Sequence, residues 1–344
     1  MKKSLVTFLV LILMLASFGI ANASSDLNVL SWIGYVDQAT IDAFTEETGI
    51  NVIWSPMETP EDMMLKVSQA EGEGYDLILS SDYSLDILRK KGLLQPLDKE
   101  KLPNYANLDP FFLSQPYDPE NEYVIPYMSG CTVIVYDPSY LSFEIKSFSD
   151  LWNEELEDSV VLLDNGRVIG GLTLKSMGKS INETDPEALA QMQEKLMSLY
   201  PNIRAFGDEA TYSSMVTGDA SAALTFATFA AMAYNDNPAL EVVYPSEGLG
   251  FGVDGFVLSK ASKNVDNAHL FLDYLMRAKV AAHNAQAQLY LCVNKAAQEF
   301  LSDEYLNNPA IKIPKDAFEN AEIILDLGET STTYQEIYTT FKLQ

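Results

Sequence analysis

Short apolar runs alternate along this chain with stretches in which apolar residues return every three or four positions. Leu27 to Trp32 predicts a strand, and Ile41, Phe44 and Thr48 predict one face of a helix stopped by Gly49. Ile50 to Trp54 predicts the next strand. Thr59-Pro60 opens a second helix, with proline at its first position and Asp62 placed to complete the cap; Met63, Met64 and Val67 fall on one face. Tyr75 to Leu79 is a continuous apolar run of the kind buried in a parallel sheet. A further helix runs to Gly92. Strands alternating with helices predict α/β architecture.

The rhythm then breaks. Residues 103–126 read as loop, punctuated by Pro103, Pro110, Pro116, Pro119 and Pro126. Cys131 to Tyr136 predicts a strand, Ser149 the cap of a short helix, and Val160 to Leu163 another strand. Asp185-Pro186 opens a long helix that buries Leu189, Met192, Leu196 and Leu199. A second α/β set follows: a strand near Ala223 to Phe226, a helix from about Phe229, and strands at Glu241–Tyr244 and Phe256–Leu258. From about Val265 the chain reads as mostly helical. Two α/β sets without a linker between them predict two lobes facing each other across a cleft.

Composition supports a folded protein. Of 344 residues, 47% are hydrophobic and 11% aromatic, which excludes a disordered chain. The N-terminus reads as a signal peptide: Lys2 and Lys3, an apolar run from Leu5 to Phe18, and an Ala21-Asn22-Ala23 cleavage site. The mature chain is expected to start at Ser24, to be exported, and to lack a lipid anchor because no cysteine stands at that site. The formal charge is −27, and −29 without Lys2 and Lys3. Such a balance argues against nucleic acid or anionic lipid as partner and suits a cationic ligand. Two cysteines, Cys131 and Cys292, leave one disulfide or two buried thiols open.

Motifs for catalysis are missing. His269 and His283 lie in a helical stretch without zinc-type spacing. There is no G-x-S-x-G elbow. Gly178-Lys179-Ser180 has Thr173 where a P-loop needs glycine, and the 248–253 run has Val253 where a dinucleotide fingerprint needs its third glycine. The residues therefore point to no enzyme and no cofactor. What remains is aromatic side chains near carboxylates after strand ends: Trp32, Tyr35 and Tyr83. Aromatic faces attract a cation, and a desolvated cation needs a fixed counter-charge.

Ser31-Trp32-Ile33-Gly34-Tyr35-Val36, Phe44 to Ile50 and Tyr75-Asp76-Leu77-Ile78, with Asn107 to Pro110, Ile125-Pro126-Tyr127, Ser149 to Trp152, Tyr244-Pro245 and Glu247-Gly248, stand in an order that resembles one family across the mature chain. It is similar to the periplasmic polyamine-binding proteins, the spermidine/putrescine-binding components of ABC importers. The resemblance implies a type II periplasmic binding protein fold with hinged lobes around a ligand cleft. Lobe one would comprise 24–129 plus 255–297, and lobe two 133–251 plus 303–344. It also implies a monomer that delivers a small cationic ligand to a membrane permease. Carried over residue by residue, Trp32, Tyr35, Tyr83 and Tyr290 match the family's aromatic box, and Asp254 its main amine-binding acid. Phe226 replaces one tryptophan and Gly252 another. Three acid positions of spermidine binders are here Gly34, Asn165 and Val168, so Asp82 and Asp208 are the candidate second anions. The thinned carboxylate set keeps a different small cation or amino compound as the alternative ligand.

Overall fold

The computed structural model describes residues 26–344, and the expected signal peptide lies outside them. The chain starts with β1 (Leu27–Ser31), α1 (Gln38–Thr48), β2 (Val52–Pro56), α2 (Pro60–Gln69), β3 (Leu77–Ser81), α3 (Asp82–Lys90) and β4 (Leu94–Gln95). The local signals act as read. Gly49 caps α1 in the left-handed region, at φ 74°. The Thr59 hydroxyl accepts the Asp62 N–H at 3.1 Å at the start of α2.

β5 (Val124–Tyr136) then crosses into the second half, which holds β6 (Val160–Leu162), α4 (Gly166–Lys175), α5 (Pro186–Leu199), β7 (Ile203–Phe206), α6 (Asp208–Thr217), β8 (Ala222–Phe226), α7 (Ala227–Asp236) and β9 (Glu241–Val243). β10 (Gly250–Ser259) crosses back, followed by α8 (Val265–Leu275), α9 (Ala278–Gln288), β11 (Leu291–Cys292), α10 (Asp303–Asn307), β12 (Glu322–Ile323) and α11 (Thr330–Lys342).

The sheet runs β2-β1-β3-β10-β5-β8-β6-β7. β1, β2 and β3 are parallel, as are β6, β7 and β8. β5 pairs β10 up to Cys131 and then pairs β8 and β9 from Thr132 onward. One long strand thus serves both halves. Each half forms its own helix-covered sheet, the packing that parallel strands buried on both faces require. In the second half the pleat divides β5: Ile134 and Tyr136 join a core with Phe148, Leu196 and Phe341, while Val133 and Val135 face Ala223, Ala227 and Ala230. In the first half Phe44, Phe256 and Phe271 stack edge to face, with centroids at 4.9 and 6.2 Å.

Several expectations need correction. β5 starts seven residues before Cys131 and includes Pro126, which the proline count had assigned to loop. Pro126 fits because the register slips there: Asp254 faces Met128 but Gly255 faces Pro126, leaving Tyr127 as an extra residue. Ser147, not Ser149, caps the short helix, because Asp150 completes a capping box with it. The Ser149 hydroxyl instead binds Glu247 at 3.1 Å. Both cysteines are free thiols. Cys292 stands opposite Met128 across the β11–β5 pair, three residues along from Cys131, too far for a bridge.

α4 and α6 escape the periodicity argument. Gly166, Gly170 and Gly171 dilute the apolar face of α4. Their role is close approach: a Cβ on Gly166 would lie 2.8 Å from Tyr338, and one on Gly170 2.7 Å from Tyr334. α11 packs into the space these glycines leave.

Candidate functional site

Parallel strands deliver side chains at their carboxyl ends, and the candidate residues gather there. β1 ends in the loop carrying Trp32 and Tyr35, and β3 leads into Asp82 and Tyr83. From the second half, β6 leads to Asn165, β7 to Asp208 through Gly207, and β8 ends on Phe226. Asp254 sits on the crossing strand β10, at the slip of register described above. Tyr290 follows α9, which ends on Leu289 in the left-handed region.

The aromatic rings of the first half form one cluster. Tyr35 lies 5.2 Å from Trp32 and 5.2 Å from Tyr290, the second contact edge to face. Tyr127 closes on Tyr35 at 6.0 Å. The Tyr290 ring lies over Gly130 on the crossing strand β5, where a Cβ would meet it at 3.5 Å. Tyr83 is held apart from this cluster: its hydroxyl donates to Glu61 Oε1 at 3.0 Å.

The carboxylates carry the electrostatics. The Tyr35 hydroxyl donates to Asp254 Oδ2. Burial pushes the Asp254 carboxyl up to about 6, and the Tyr35 bond opposes that rise. Asp82 is 1% exposed, and its oxygens accept the N–H groups of Tyr83 at 2.7 Å and Val253 at 3.0 Å. Burial is the main cause that raises Asp82 to about 8; the neighbouring Asp254 charge adds to it, and the two amide bonds and Arg167 oppose it. Asp208 accepts the Asp164 N–H at 3.0 Å and is also pushed up, mainly by burial. Among the described residues no lysine or arginine bonds to Asp82, Asp254 or Asp208. Burial and the charges of Asp254 and Asp208 raise Tyr290, and the Tyr35 bond opposes them.

Asn165 has a local task. Its side-chain oxygen accepts the Val168 N–H at 3.0 Å and caps α4. Phe226 is half-buried at the start of α7.

The sequence reading passed over several neighbours. Arg167 follows the Asn165 cap, with its guanidinium held by Ile181 O at 2.8 Å, Asn182 Oδ1 and Leu325 O at 3.3 Å, and stacked 5.1 Å from Tyr334. Its charge acts on Asp82 from the opposite half. Ser81 stands directly opposite Asp254 across the β3–β10 pair, so both point to one face. Tyr117, which the proline-rich stretch hid, is 3% exposed with a hydroxyl that has no partner among the described residues. Gln288 donates to Gly34 O at 2.7 Å, while its own carbonyl accepts the Thr228 hydroxyl at 2.8 Å. That pair of bonds ties the aromatic loop to α7 of the second half. None of these residues belongs to a motif; chain topology brings them together.

These residues bring aromatic rings together with acids that, among the described residues, bond to no lysine or arginine, a combination whose chemistry attracts a cation. Comparison with known proteins agrees with the fold and with solute binding. The family model of bacterial extracellular solute-binding proteins matches residues 39–313. The spermidine/putrescine-binding periplasmic protein of Salmonella typhimurium is 33% identical over 323 residues, covering 94% of this chain and 93% of that protein. The putrescine-binding periplasmic protein of Escherichia coli is 31% identical over 325 residues, 88% of either chain. The solved spermidine/putrescine ABC transporter substrate-binding protein of Streptococcus pneumoniae superimposes with a TM-score of 0.82 at 31% identity, over 92% of this chain and 98% of that one.

Proposed function

The chain belongs to the bacterial extracellular solute-binding proteins, and from that premise we propose that it captures a polyamine in the cleft for an ABC importer. The observation that carries this reading is the aromatic cluster of Trp32, Tyr35 and Tyr290 beside Asp254, which, like Asp208 of the second half, bonds to no lysine or arginine among the described residues. A ligand with an ammonium at each end supplies both counter-charges, and its methylenes lie along Trp32, Tyr35, Tyr83, Phe226 and Tyr290. Relatives that bind spermidine and putrescine support the same ligand class.

In this reading residues 1–23 direct export to the periplasm and are removed. Residues 24–129 with 255–297 form one lobe, 133–251 with 303–344 the other, and β5 and β10 act as the hinge. The protein works as a monomer, and its partner is the membrane permease. The alternative is a different small amine. It gains support from Asn165, whose amide is committed to a helix cap where an acid would otherwise strengthen the second subsite.

A thermal-shift and calorimetric screen of residues 24–344 separates the two. The panel holds putrescine, cadaverine, spermidine, spermine, choline, betaine and the amino acids. A ligand at a hundred times its dissociation constant adds about 2.7 kcal/mol of stability. Stabilisation by polyamines and not by the single-charged amines supports the proposal. Silence from every polyamine, with a response to choline or an amino acid, overturns it.

A further inference from the structure

We infer that Asp82 and Gly252 build a third cationic subsite beside Asp254, so that the cleft selects a triamine over a diamine. The inference rests on the polyamine reading above.

Gly252 and Asp254 lie two residues apart on β10 and point to the same face of the sheet. At Gly252 that face is open. A Cβ built there meets the Asp82 carboxylate, Oδ2 at 3.5 Å and Oδ1 at 3.9 Å, and nothing else within 4 Å. The bay above Gly252 therefore has a carboxylate as its wall. Each Asp82 oxygen has given one lone pair to a backbone N–H, of Tyr83 or of Val253, and keeps one for a further donor.

A second feature points to the same bay. The Tyr117 hydroxyl is buried and has no partner among the described residues, and it is raised first by burial and then by the charges of Asp82, Asp118 and Asp254. A buried hydroxyl without a partner is rare in a finished structure. A ligand nitrogen between these groups supplies the missing bond.

In this arrangement two nitrogens of a triamine face Asp254 and Asp82, and the remaining one is left for Asp208.

The charges around Asp82 are mapped by element. Asp254 faces it from β10, Tyr83 from its own helix, Tyr117 from the 103–123 loop, and Arg167 from α4. The Arg167 guanidinium is occupied by Ile181, Asn182 and Leu325 and makes no direct bond to Asp82. Asp82, raised to about 8 and without a bonded cation, retains its proton at neutral pH, and an arriving ammonium displaces it. Triamine binding therefore releases more protons than diamine binding.

The test is calorimetry with spermidine and putrescine at pH 7, in two buffers of different ionisation heat, on the wild type, Asp82→Asn and Gly252→Val. Gly252→Val fills the bay against the Asp82 carboxylate while leaving the acid in the chain, and serves if Asp82→Asn folds poorly. Both variants are expected to weaken spermidine about tenfold or more while putrescine changes by less than about threefold. The excess proton release seen with spermidine disappears in Asp82→Asn. Equal weakening of both amines, or unchanged spermidine affinity in both variants, overturns the third subsite while leaving the polyamine reading intact. Failure of both amines to bind the wild type removes the polyamine reading itself.

Discussion

Asp254 is expected to cost stability in the ligand-free protein, and Asp254→Asn measures that cost. The folded carboxyl titrates at about 6 against an ordinary value of 3.8. An acid raised by folding binds its proton more tightly in the native state, so the native state loses ground as pH rises from 3.8 towards 6 and gains nothing back above it. The penalty is about 0.6 kcal/mol at pH 4 and about 3 kcal/mol at pH 8. Asparagine keeps an oxygen for the Tyr35 hydroxyl and removes the charge. Urea denaturation of ligand-free protein should therefore show Asp254→Asn stabilised by about 2–3 kcal/mol at pH 8 and by less than about 1 kcal/mol at pH 4. The same variant should bind putrescine at least about thirtyfold more weakly, since a charge-assisted partner is lost. A variant less stable than wild type at pH 8, or an advantage that does not grow between pH 4 and pH 8, would refute the reasoning.

Two further outcomes follow from packing and from the thiols. Gly170→Ala puts a methyl 2.7 Å from the Tyr334 ring. That ring has no room to move, because its hydroxyl is tied to Glu183 O at 2.8 Å and Arg167 lies on its face. Overpacking of this kind costs about 1–3 kcal/mol, read as a shift in the urea midpoint with unchanged slope; a neutral result would mean that α11 can slide on α4. For the cysteines, thiol titration under denaturant should count two free groups without reductant, and reductant should leave the melting temperature unchanged. One count of zero, or a drop in melting temperature on reduction, would place Cys131 and Cys292 within bonding distance after all.

The parts of the fold legible in the sequence are those whose signal is local. The caps at Thr59 and Asp185, the stop at Gly49 and the buried run ending at Leu79 each depend on residues within a few positions of one another. α4 was not legible because its glycines serve a helix that begins 160 residues later, at Thr330. The length of β5 was hidden for a related reason. Pro126 reads as a breaker until β10 supplies the slipped partner that tolerates it.

The candidate site divides along the same line. Aromatic residues near strand ends announce themselves, and Trp32, Tyr35 and Tyr290 do meet. Carboxylates do not announce their surroundings. Counting acids made Asp254 one anion among 49 acidic residues. Folding raises it by burial, and does the same to Asp82, which lies 172 positions earlier in the chain. Elsewhere this chain pairs its acids in the ordinary way: Asp86 with Arg89 and Lys90, Glu322 with Lys175, Asp164 with Lys342. Asp82, Asp254 and Asp208 have no such partner among the described residues. An internal cation there would raise the stability of the ligand-free protein and occupy the position that the proposed ligand's ammonium would take. If these acids hold the proposed ligand, the energetic cost they carry in the ligand-free protein and the capacity to hold a cation are one property, and a variant that relieves the first should lose the second.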